Sequence, residues 1–330
     1  MPDKLHDLIV KWTLKSESGP LIQEASDLIK SLEDRLYEQY EPTSGPNPPF
    51  WIRLEEFVNN TDDDEDRQIL FRLITQVIFV GNKEFDSLHR TAFTSNISRW
   101  LVDMRGINLF EENSLQQLDD AVGKTWFCSI TDSMKIGSFH RINGINNRGN
   151  NIEFRPHADI VKDPAPLEKY LVDNSKEYLV LLEDFVGSGN QMKSAIKLAQ
   201  SLKGGKLPVL ICPLLVCPNG YEFGKRFQSK HENVTFDPVF RLDEATFIPK
   251  DSPAEESEIL QKIRSLLEKL HPLVCGTGEQ EAKYGPFGYE DTGSLTVMYT
   301  NCPNNTVPAV HYKSNSWAPV FPRQEREEFK

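Results

Sequence analysis

Cysteine is scarce in the sequence, and its spacing matches neither a metal site nor a redox pair. The chain of 330 residues contains 5 cysteines, and no two of them form a Cys-x-x-Cys pair. Histidines do not cluster beside them, which argues against a structural zinc site. Cys212 and Cys217 lie in an apolar run and are predicted to be core residues. This cysteine usage favours a reduced, cytoplasmic protein.

Long apolar runs and an excess of positive charge are also missing. No run approaches the length of a transmembrane helix, and the first residues, MPDKLHDLIVKW, lack the hydrophobic segment of a secretory signal. We therefore expect no membrane association and a cytoplasmic location. The net charge of −12 argues against broad, non-specific nucleic-acid binding by this chain alone. It leaves open a local basic patch, or a nucleic acid bound through a partner.

The most informative stretch is Glu177–Ser201, EYLVLLEDFVGSGNQMKSAIKLAQS. Tyr178–Leu182 is a short apolar run typical of a buried strand, and Glu183 and Asp184 follow it directly. A glycine turn then leads into a helical pattern whose apolar positions are Met192, Ala195, Ile196 and Ala199. An open α/β sheet presents a phosphate site in this order, at the carboxyl end of a strand.

The residues of this turn suit a sugar phosphate. Gly187 and Gly189 permit positive φ and close approach of the backbone to a ligand, and Ser188 offers a hydroxyl. The first turn of the following helix has unpaired N–H groups that favour a phosphate. The two carboxylates are unsuited to touch a phosphate, but they fit Mg²⁺ or ribose hydroxyls beside it. The alternative is an acidic strand end that caps a helix without any ligand.

Other nucleotide motifs match this stretch less well. No lysine follows Gly189, as a P-loop would require. In the dinucleotide-binding pattern three glycines precede the acid, whereas here the acids come first. A methyltransferase-like acid-x-Gly-x-Gly-x-Gly would need glycine where Phe185 and Val186 stand.

The chain before residue 116 reads as a helical region, 1-115. Helical patterns cover Leu21–Tyr40, Gln68–Val80 and Glu84–Met104. The acidic run at Thr61–Asp66 lacks the spacing of a calcium-binding EF-hand loop. It is predicted to be an N-cap, with acids placed favourably at the start of the helix.

After residue 115 strands alternate with helices, which predicts an α/β domain, 116-330, with a mostly parallel, Rossmann-like sheet flanked by helices. Strands are predicted at Thr125–Ile130, Leu207–Val216, Val234–Phe240 and Ser294–Tyr299, and helices at Asp163–Asp173, Tyr221–Lys230 and Ala254–Leu270. The segment from Tyr284 to Arg323 is rich in aromatic, Asn and Gly residues. It is predicted to be a ligand hood or partner surface, or else a loop-rich C-terminal cap that covers a sheet edge.

The run LVLL-ED-FV-GS-G resembles the phosphoribosyl-pyrophosphate loop of type I phosphoribosyltransferases. The resemblance implies that Glu183 and Asp184 face the ribose hydroxyls and a Mg²⁺ ion. It also implies that a phosphate cradle is formed by Gly187, Ser188, Gly189, Asn190 and Gln191. Gly187 stands where threonine is commoner in that family, which puts one hydroxyl contact in question.

The same resemblance implies two further ligand-binding loops. By position, Thr131-Asp132-Ser133 would contact pyrophosphate, although it lacks the usual glycines. The stretch Asn143–Arg155 would be a mobile loop in which Arg148 and Arg155 bring positive charge to the leaving group. A solvated hairpin is the alternative for this stretch.

Three C-terminal blocks, GPFGYEDTGSLTV, NCPNNTVPAVHY and SWAPVFPR, are similar to the phosphoribosyltransferase-like family of bacterial conflict systems called PRTase-CE. That resemblance implies a role in anti-phage defence, including retron operons, beside a reverse transcriptase with its nucleic acid and a small DNA-binding protein. The expected function is an enzyme that binds phosphoribosyl pyrophosphate or a nucleotide with Mg²⁺, and transfers or cleaves at the anomeric carbon. A non-catalytic nucleotide sensor or scaffold, and a structural partner with an inactive pocket, are the alternatives.

Overall fold

A computed structural model describes residues 1–15, 17–43, 48–145, 154–155, 158, 163–243, 246–251, 256–276 and 284–324. The chain forms two compact units. One, the continuous unit, is Lys83–Asp243. The other, the split unit, combines Met1–Asn82 with Glu244–Lys330. These boundaries differ from the expected division into 1-115 and 116-330.

The continuous unit is an α/β structure in which helices and strands alternate. Its helices are α5 (Asn82–Thr91), α6 (Ser98–Arg105), α7 (Ser114–Gly123), α8 (Ile136–Ile142), α9 (Ala165–Asp173), α10 (Met192–Ser201) and α11 (Pro218–Gln228), and a π-helical turn, Ala92–Ile97, joins α5 to α6. Its strands are β2 (Thr125–Ser129), β3 (Tyr178–Val186), β4 (Val209–Val216), β5 (Val234–Phe236) and β6 (Phe240–Arg241). The strand predicted directly before the acid pair is therefore confirmed as β3, and the next predicted strand, Leu207–Val216, is confirmed as β4.

The strands of this unit form one parallel sheet with the order β2-β3-β4-β5, and β6 also pairs with β4. Leu182 of β3 lies between Ser129 and Cys212, and Val186 pairs with Val216, which in turn pairs with Arg241. Parallel strands put their carboxyl ends at one edge, so the segments that follow β2, β3 and β4 converge there. Every residue of β3 is buried, as expected for a central strand of a sheet covered on both faces.

Helices cover both faces of the sheet. The ring of Trp126 packs against that of Tyr170 of α9, with centroids 5.0 Å apart, whereas the ring of the next residue, Phe127, lies 5.7 Å from that of Phe139 of α8. Successive side chains of a strand point to opposite faces, so α9 and α8 lie on different sides. The apolar stripe predicted for α10, which includes Met192 and Ile196, is buried. The Rossmann-like fold class is therefore confirmed.

The split unit is mostly helical and contains a two-stranded parallel sheet. Its helices are α1 (Asp3–Thr13), α2 (Gly19–Arg35), α3 (Phe50–Val58), α4 (Asp64–Leu73), α12 (Glu258–Cys275) and α13 (Pro308–His311), and its strands are β1 (Ile78–Val80) and β7 (Thr296–Met298). The predicted helix Gln68–Val80 is wrong in its last three residues, Ile78–Val80, which form β1 after a 3-10 turn at Ile74–Gln76. Ile78 pairs with Thr296 and Val80 with Met298, so a partner more than 200 residues away determines this conformation. Along the described segments, no helix is long and apolar enough to cross a membrane.

The acidic run in this unit has the predicted capping role. The Asp63 side chain accepts hydrogen bonds from the backbone N–H groups of Glu65 and Asp66 and so caps α4. Hydrogen bonds from Lys15 and Trp12 lower the pKa of Asp64 to about 2. Asp63 and Asp64 therefore pair with backbone N–H groups and side chains of the protein itself.

His89 of α5 is buried in the continuous unit. It is 0% exposed, neither ring nitrogen has a hydrogen-bond partner among the residues that the structure describes, and Phe85 and Phe139 flank the ring with centroids 5.1 and 5.9 Å away. Burial lowers the pKa of His89 from 6.5 to about 4, although Asp86 opposes the shift. The folded chain therefore keeps His89 neutral in mildly acidic solution, where the unfolded chain protonates it.

We expect His89→Leu to remove part of the acid sensitivity of folding. Between pH 6.5 and about 4 only the unfolded chain binds this proton, which costs the wild type about 2 kcal/mol of unfolding free energy at pH 5 relative to pH 7. Urea denaturation of both proteins at the two pH values measures the difference. His6→Gln, at an exposed position of α1, is the control and should follow the wild type. Equal pH dependence in His89→Leu and wild type would contradict the prediction.

Candidate functional site

Glu183 and Asp184 lie inside β3, because the strand continues to Val186 instead of ending at Leu182 as predicted. Both side chains are almost inaccessible, with 1% of Glu183 and 2% of Asp184 exposed. A buried carboxylate requires hydrogen-bond donors, since the loss of water is otherwise very unfavourable. The segment after β2 supplies these donors.

Thr131 and Ser133, in the turn after β2, contact both carboxylates. The backbone N–H of Thr131 donates to Oε2 of Glu183 at 2.8 Å, and the Thr131 hydroxyl donates to Oε1. The Ser133 hydroxyl lies 2.7 Å from Oδ1 of Asp184 and 3.2 Å from Oε1 of Glu183. The backbone N–H of Phe185 also donates to Oδ1 of Asp184, at 2.8 Å. The predicted pyrophosphate loop and the predicted acid pair therefore lie together.

The charge state of this pair depends on its burial. Loss of solvent, and then the neighbouring Asp184 carboxylate, raise the pKa of Glu183 well above its usual range. The hydrogen bonds from Thr131 and Ser133 oppose the shift, but they do not cancel it. A cation or a set of hydroxyl donors placed beside the pair would stabilise its ionised form.

The predicted cradle, Gly187–Gln191, is a tight turn between β3 and α10. Gly189 has a φ of +88°, which glycine adopts without strain, whereas Gly187 is not in the left-handed region. Among the described residues, no acceptor pairs with the backbone N–H of Ser188, Gly189 or Gln191. The N–H of Asn190 faces the Ser188 hydroxyl at 3.4 Å. The turn therefore presents N–H donors of the kind that binds a phosphate.

Two residues of α11 hold this turn in place, and sequence analysis did not identify them. A Cβ atom on Gly189 would lie 2.7 Å from the ring of Phe223, and one on Gly220 would lie 2.5 Å from the carbonyl oxygen of Gly187. The first turn of α11 thus packs directly against the cradle. A second glycine 31 positions after Gly189 is the only sequence signal, and its meaning depends on the β3–β4 pairing.

Basic side chains flank the site. Arg155 forms an ion pair with Asp132 at 3.0 Å, which brings two predicted site residues together. The ammonium group of Lys193 lies 5.8 Å from the centroid of the Phe223 ring, beside the cradle. Arg148 lies outside the described residues.

A comparison with protein-family models identifies the chain. The model of the family called PRTase-CE matches residues 54–323, which is most of the sequence. The chain belongs to the PRTase-CE family. No curated protein and no solved structure matches it.

The PRTase-CE match covers the whole continuous unit, including every predicted site residue. The chain is therefore a phosphoribosyltransferase-like protein. A further pair of residues in the matched range was missed by sequence analysis. Arg241 at the end of β6 stacks its guanidinium 4.4 Å from the ring centroid of Tyr221, which lies in the first turn of α11. Both lie at the sheet edge that carries the cradle.

In number and type, the two carboxylates of the pair are what a magnesium ion bound to a diphosphate takes from a protein. The described side chains include no group of three or more His, Cys, Asp or Glu residues that could hold a metal by themselves. Mg²⁺ commonly takes only one or two carboxylates and completes its coordination with phosphate oxygens and water. The adjacent carboxylates of Glu183 and Asp184 match that requirement.

Proposed function

We propose that this PRTase-CE protein binds phosphoribosyl pyrophosphate, or a related nucleotide, together with Mg²⁺ at Glu183–Gln191, and transfers or cleaves at the anomeric carbon of the ribose. One observation carries the proposal: at the carboxyl edge of a parallel sheet, two buried carboxylates are followed within a few residues by a turn whose three N–H donors have no acceptor in the described part of the chain. The carboxylates suit the ribose hydroxyls, and the N–H groups suit the 5′-phosphate.

In the proposed reaction, the bond between the anomeric carbon and pyrophosphate breaks, and a bond to the acceptor atom forms. The electron pair of the broken bond leaves with pyrophosphate, and the acceptor supplies the pair for the new bond. Positive charge develops on the ribose ring, and the Asp184 carboxylate would stabilise it. Glu183 and Asp184 would hold Mg²⁺, which neutralises charge on the leaving pyrophosphate.

Calorimetric titration with phosphoribosyl pyrophosphate and Mg²⁺ tests this function. We expect binding by the wild type and at least about 100-fold weaker binding by the double variant Glu183→Gln/Asp184→Asn, because each lost charge-assisted interaction contributes about 1.5–3 kcal/mol. Asp173→Asn/Glu177→Gln is a matched control, since it makes the same chemical changes at exposed positions. Binding by the acid-pair variant equal to that of this control would contradict the proposed site.

The catalytic part of the proposal has a separate test. Asp184→Asn is expected to retain the fold but to release no pyrophosphate when phosphoribosyl pyrophosphate is offered with a panel of bases and nucleosides. Wild-type turnover by this variant would rule out Asp184 as a catalytic residue.

A non-catalytic nucleotide sensor or scaffold is the second candidate. It is favoured by the use of Thr131 and Ser133 as partners of the acid pair, in the segment where a phosphoribosyltransferase contacts pyrophosphate. Tight binding without turnover in the presence of Mg²⁺ would support the sensor.

We further propose that the protein acts in the cytoplasm, in an anti-phage defence system of the retron type. Its partners there would be a reverse transcriptase with its nucleic acid and a small DNA-binding protein. Plaque assays on cells that carry the native operon, with wild type or Asp184→Asn, test this role. Equal protection by wild type and Asp184→Asn would show that defence does not depend on the proposed reaction.

A further inference from the structure

In the continuous unit the protein itself covers the carboxylates of the acid pair, Glu183 and Asp184, and this covered arrangement is the closed state of the pair. Glu183 and Asp184 are 1% and 2% exposed, so a ligand cannot contact their oxygens in this conformation. Among the described residues, the hydroxyls of Thr131 and Ser133 contact those oxygens, together with the backbone N–H groups of Thr131 and Phe185. For the proposed ligand to reach the pair, these hydroxyls have to be displaced.

The two hydroxyls resemble a vicinal diol in their arrangement. Thr131 Oγ1 and Ser133 Oγ lie 2.6 Å apart, and each also contacts a carboxylate of the pair. The 2- and 3-hydroxyls of a ribose are likewise adjacent and are good donors to carboxylates. The two side-chain hydroxyls therefore make the same kind of hydrogen bond to the carboxylates that the hydroxyls of a ribose would make.

The turn is attached differently at its two hydroxyl-bearing residues. Thr131 is also held by its backbone N–H, which donates to Oε2 of Glu183, and Ile130 continues the β2–β3 pairing through a 2.8 Å bond to Leu182. Within the described residues, the Ser133 side chain hydrogen-bonds to Thr131, Glu183 and Asp184. Ser133 can thus leave the acid pair without disrupting the sheet.

We propose that Thr131 and Ser133 are positioning residues whose hydroxyls hold the acid pair closed and exchange with the vicinal diol of a ribose ligand. The exchange rests on the proposed function, whereas the closing role does not require it. Removal of one hydroxyl weakens the closed state and makes binding more favourable. A residue that only stabilised the fold would not increase ligand affinity when truncated.

Chemical labelling measures the closing role without a ligand. A water-soluble carbodiimide with glycine ethyl ester modifies accessible carboxylates, and trypsin then releases the peptide Glu177–Lys193, which contains Glu183, Asp184 and the exposed Glu177. Glu177 is an internal standard for the reaction. We expect the acid pair to be labelled several-fold faster in Ser133→Ala than in wild type. Ser138→Ala, in α8, is the matched control and should resemble wild type.

Calorimetry measures the exchange. Ser133→Ala should bind phosphoribosyl pyrophosphate with Mg²⁺ about five- to tenfold more tightly than wild type, since one net hydrogen bond no longer competes. Ribose 5-phosphate should show the same gain and 2-deoxyribose 5-phosphate should not, because it lacks the diol. Thr131→Val, which keeps the backbone N–H, provides the same test if Ser133→Ala does not fold.

The outcomes separate the two proposals. Unchanged labelling of the acid pair overturns the closing role, whatever the affinity. Faster labelling of the acid pair together with equal or weaker ligand binding overturns the proposed exchange. Ser133 would then either contact the ligand directly or stabilise the fold. Faster labelling when neither protein binds phosphoribosyl pyrophosphate upholds the closing role and rejects the proposed ligand.

Discussion

Gly189→Ala is expected to weaken phosphoribosyl pyrophosphate binding at least about 100-fold. Gly189 has a φ of +88°, and a Cβ atom would lie 2.7 Å from the Phe223 ring. The turn would have to rotate to relieve both conflicts, which redirects the N–H groups of Ser188 and Gly189. Two lost hydrogen bonds to a charged phosphate, each contributing about 1.5–3 kcal/mol, account for this loss.

Gly204→Ala is the matched control for the Gly189 variant. Gly204 also has a left-handed φ, +61°, but a Cβ atom there would meet no atom within 4 Å. It should lose about 1 kcal/mol of stability through backbone strain and retain wild-type affinity. Calorimetric titration and thermal unfolding of both variants give the comparison. Full binding by Gly189→Ala would exclude the turn as the phosphate cradle.

The largest loss of stability is expected for Gly293→Ala in the split unit. Gly293 has a φ of +66°, and its Cβ would lie 2.0 Å from the carbonyl oxygen of Ile248, which is backbone that cannot turn away. The N–H of Ile248 donates to the Gly293 oxygen at 2.8 Å, so a shift would break this pairing. Overpacking and left-handed strain together predict a loss of about 3–4 kcal/mol.

Thermal and urea unfolding would measure this effect. Gly106→Ala is a suitable control, because Gly106 is left-handed, with φ +61° and ψ +39°, but a Cβ atom there would meet no atom within 4 Å. The control should lose about 1 kcal/mol. Similar losses in the two variants would show that the Ile248 backbone adjusts to the extra atom.

Sequence patterns predicted the centre of the continuous unit because its signals are local. The apolar run at Tyr178 identified β3, and the period of Met192 and Ile196 identified the buried face of α10. The acid pair followed from its place at the end of that run. These signals arise within about ten residues, where side-chain period and backbone conformation are directly linked.

The remaining features depend on residues that are distant in sequence. β1 was assigned to a helix because Ile78–Val80 becomes a strand only by pairing with Thr296–Met298. The contact of Gly220 with Gly187 requires β3 and β4 to be adjacent first. The pairing of Thr131 and Ser133 with the acids likewise depends on the register between β2 and β3. No local period encodes such contacts.

The division of the split unit has a consequence for its folding during synthesis. Lys83–Asp243 is one uninterrupted segment, so it can fold as soon as it leaves the ribosome. The first 82 residues instead wait for the segment that begins at Glu244. At 5–20 residues per second, translation of the intervening segment takes roughly 10 to 30 seconds. Throughout that interval Phe79, whose ring packs against Phe321 in the finished unit, lacks that partner, and the nascent chain is exposed to chaperones and to aggregation.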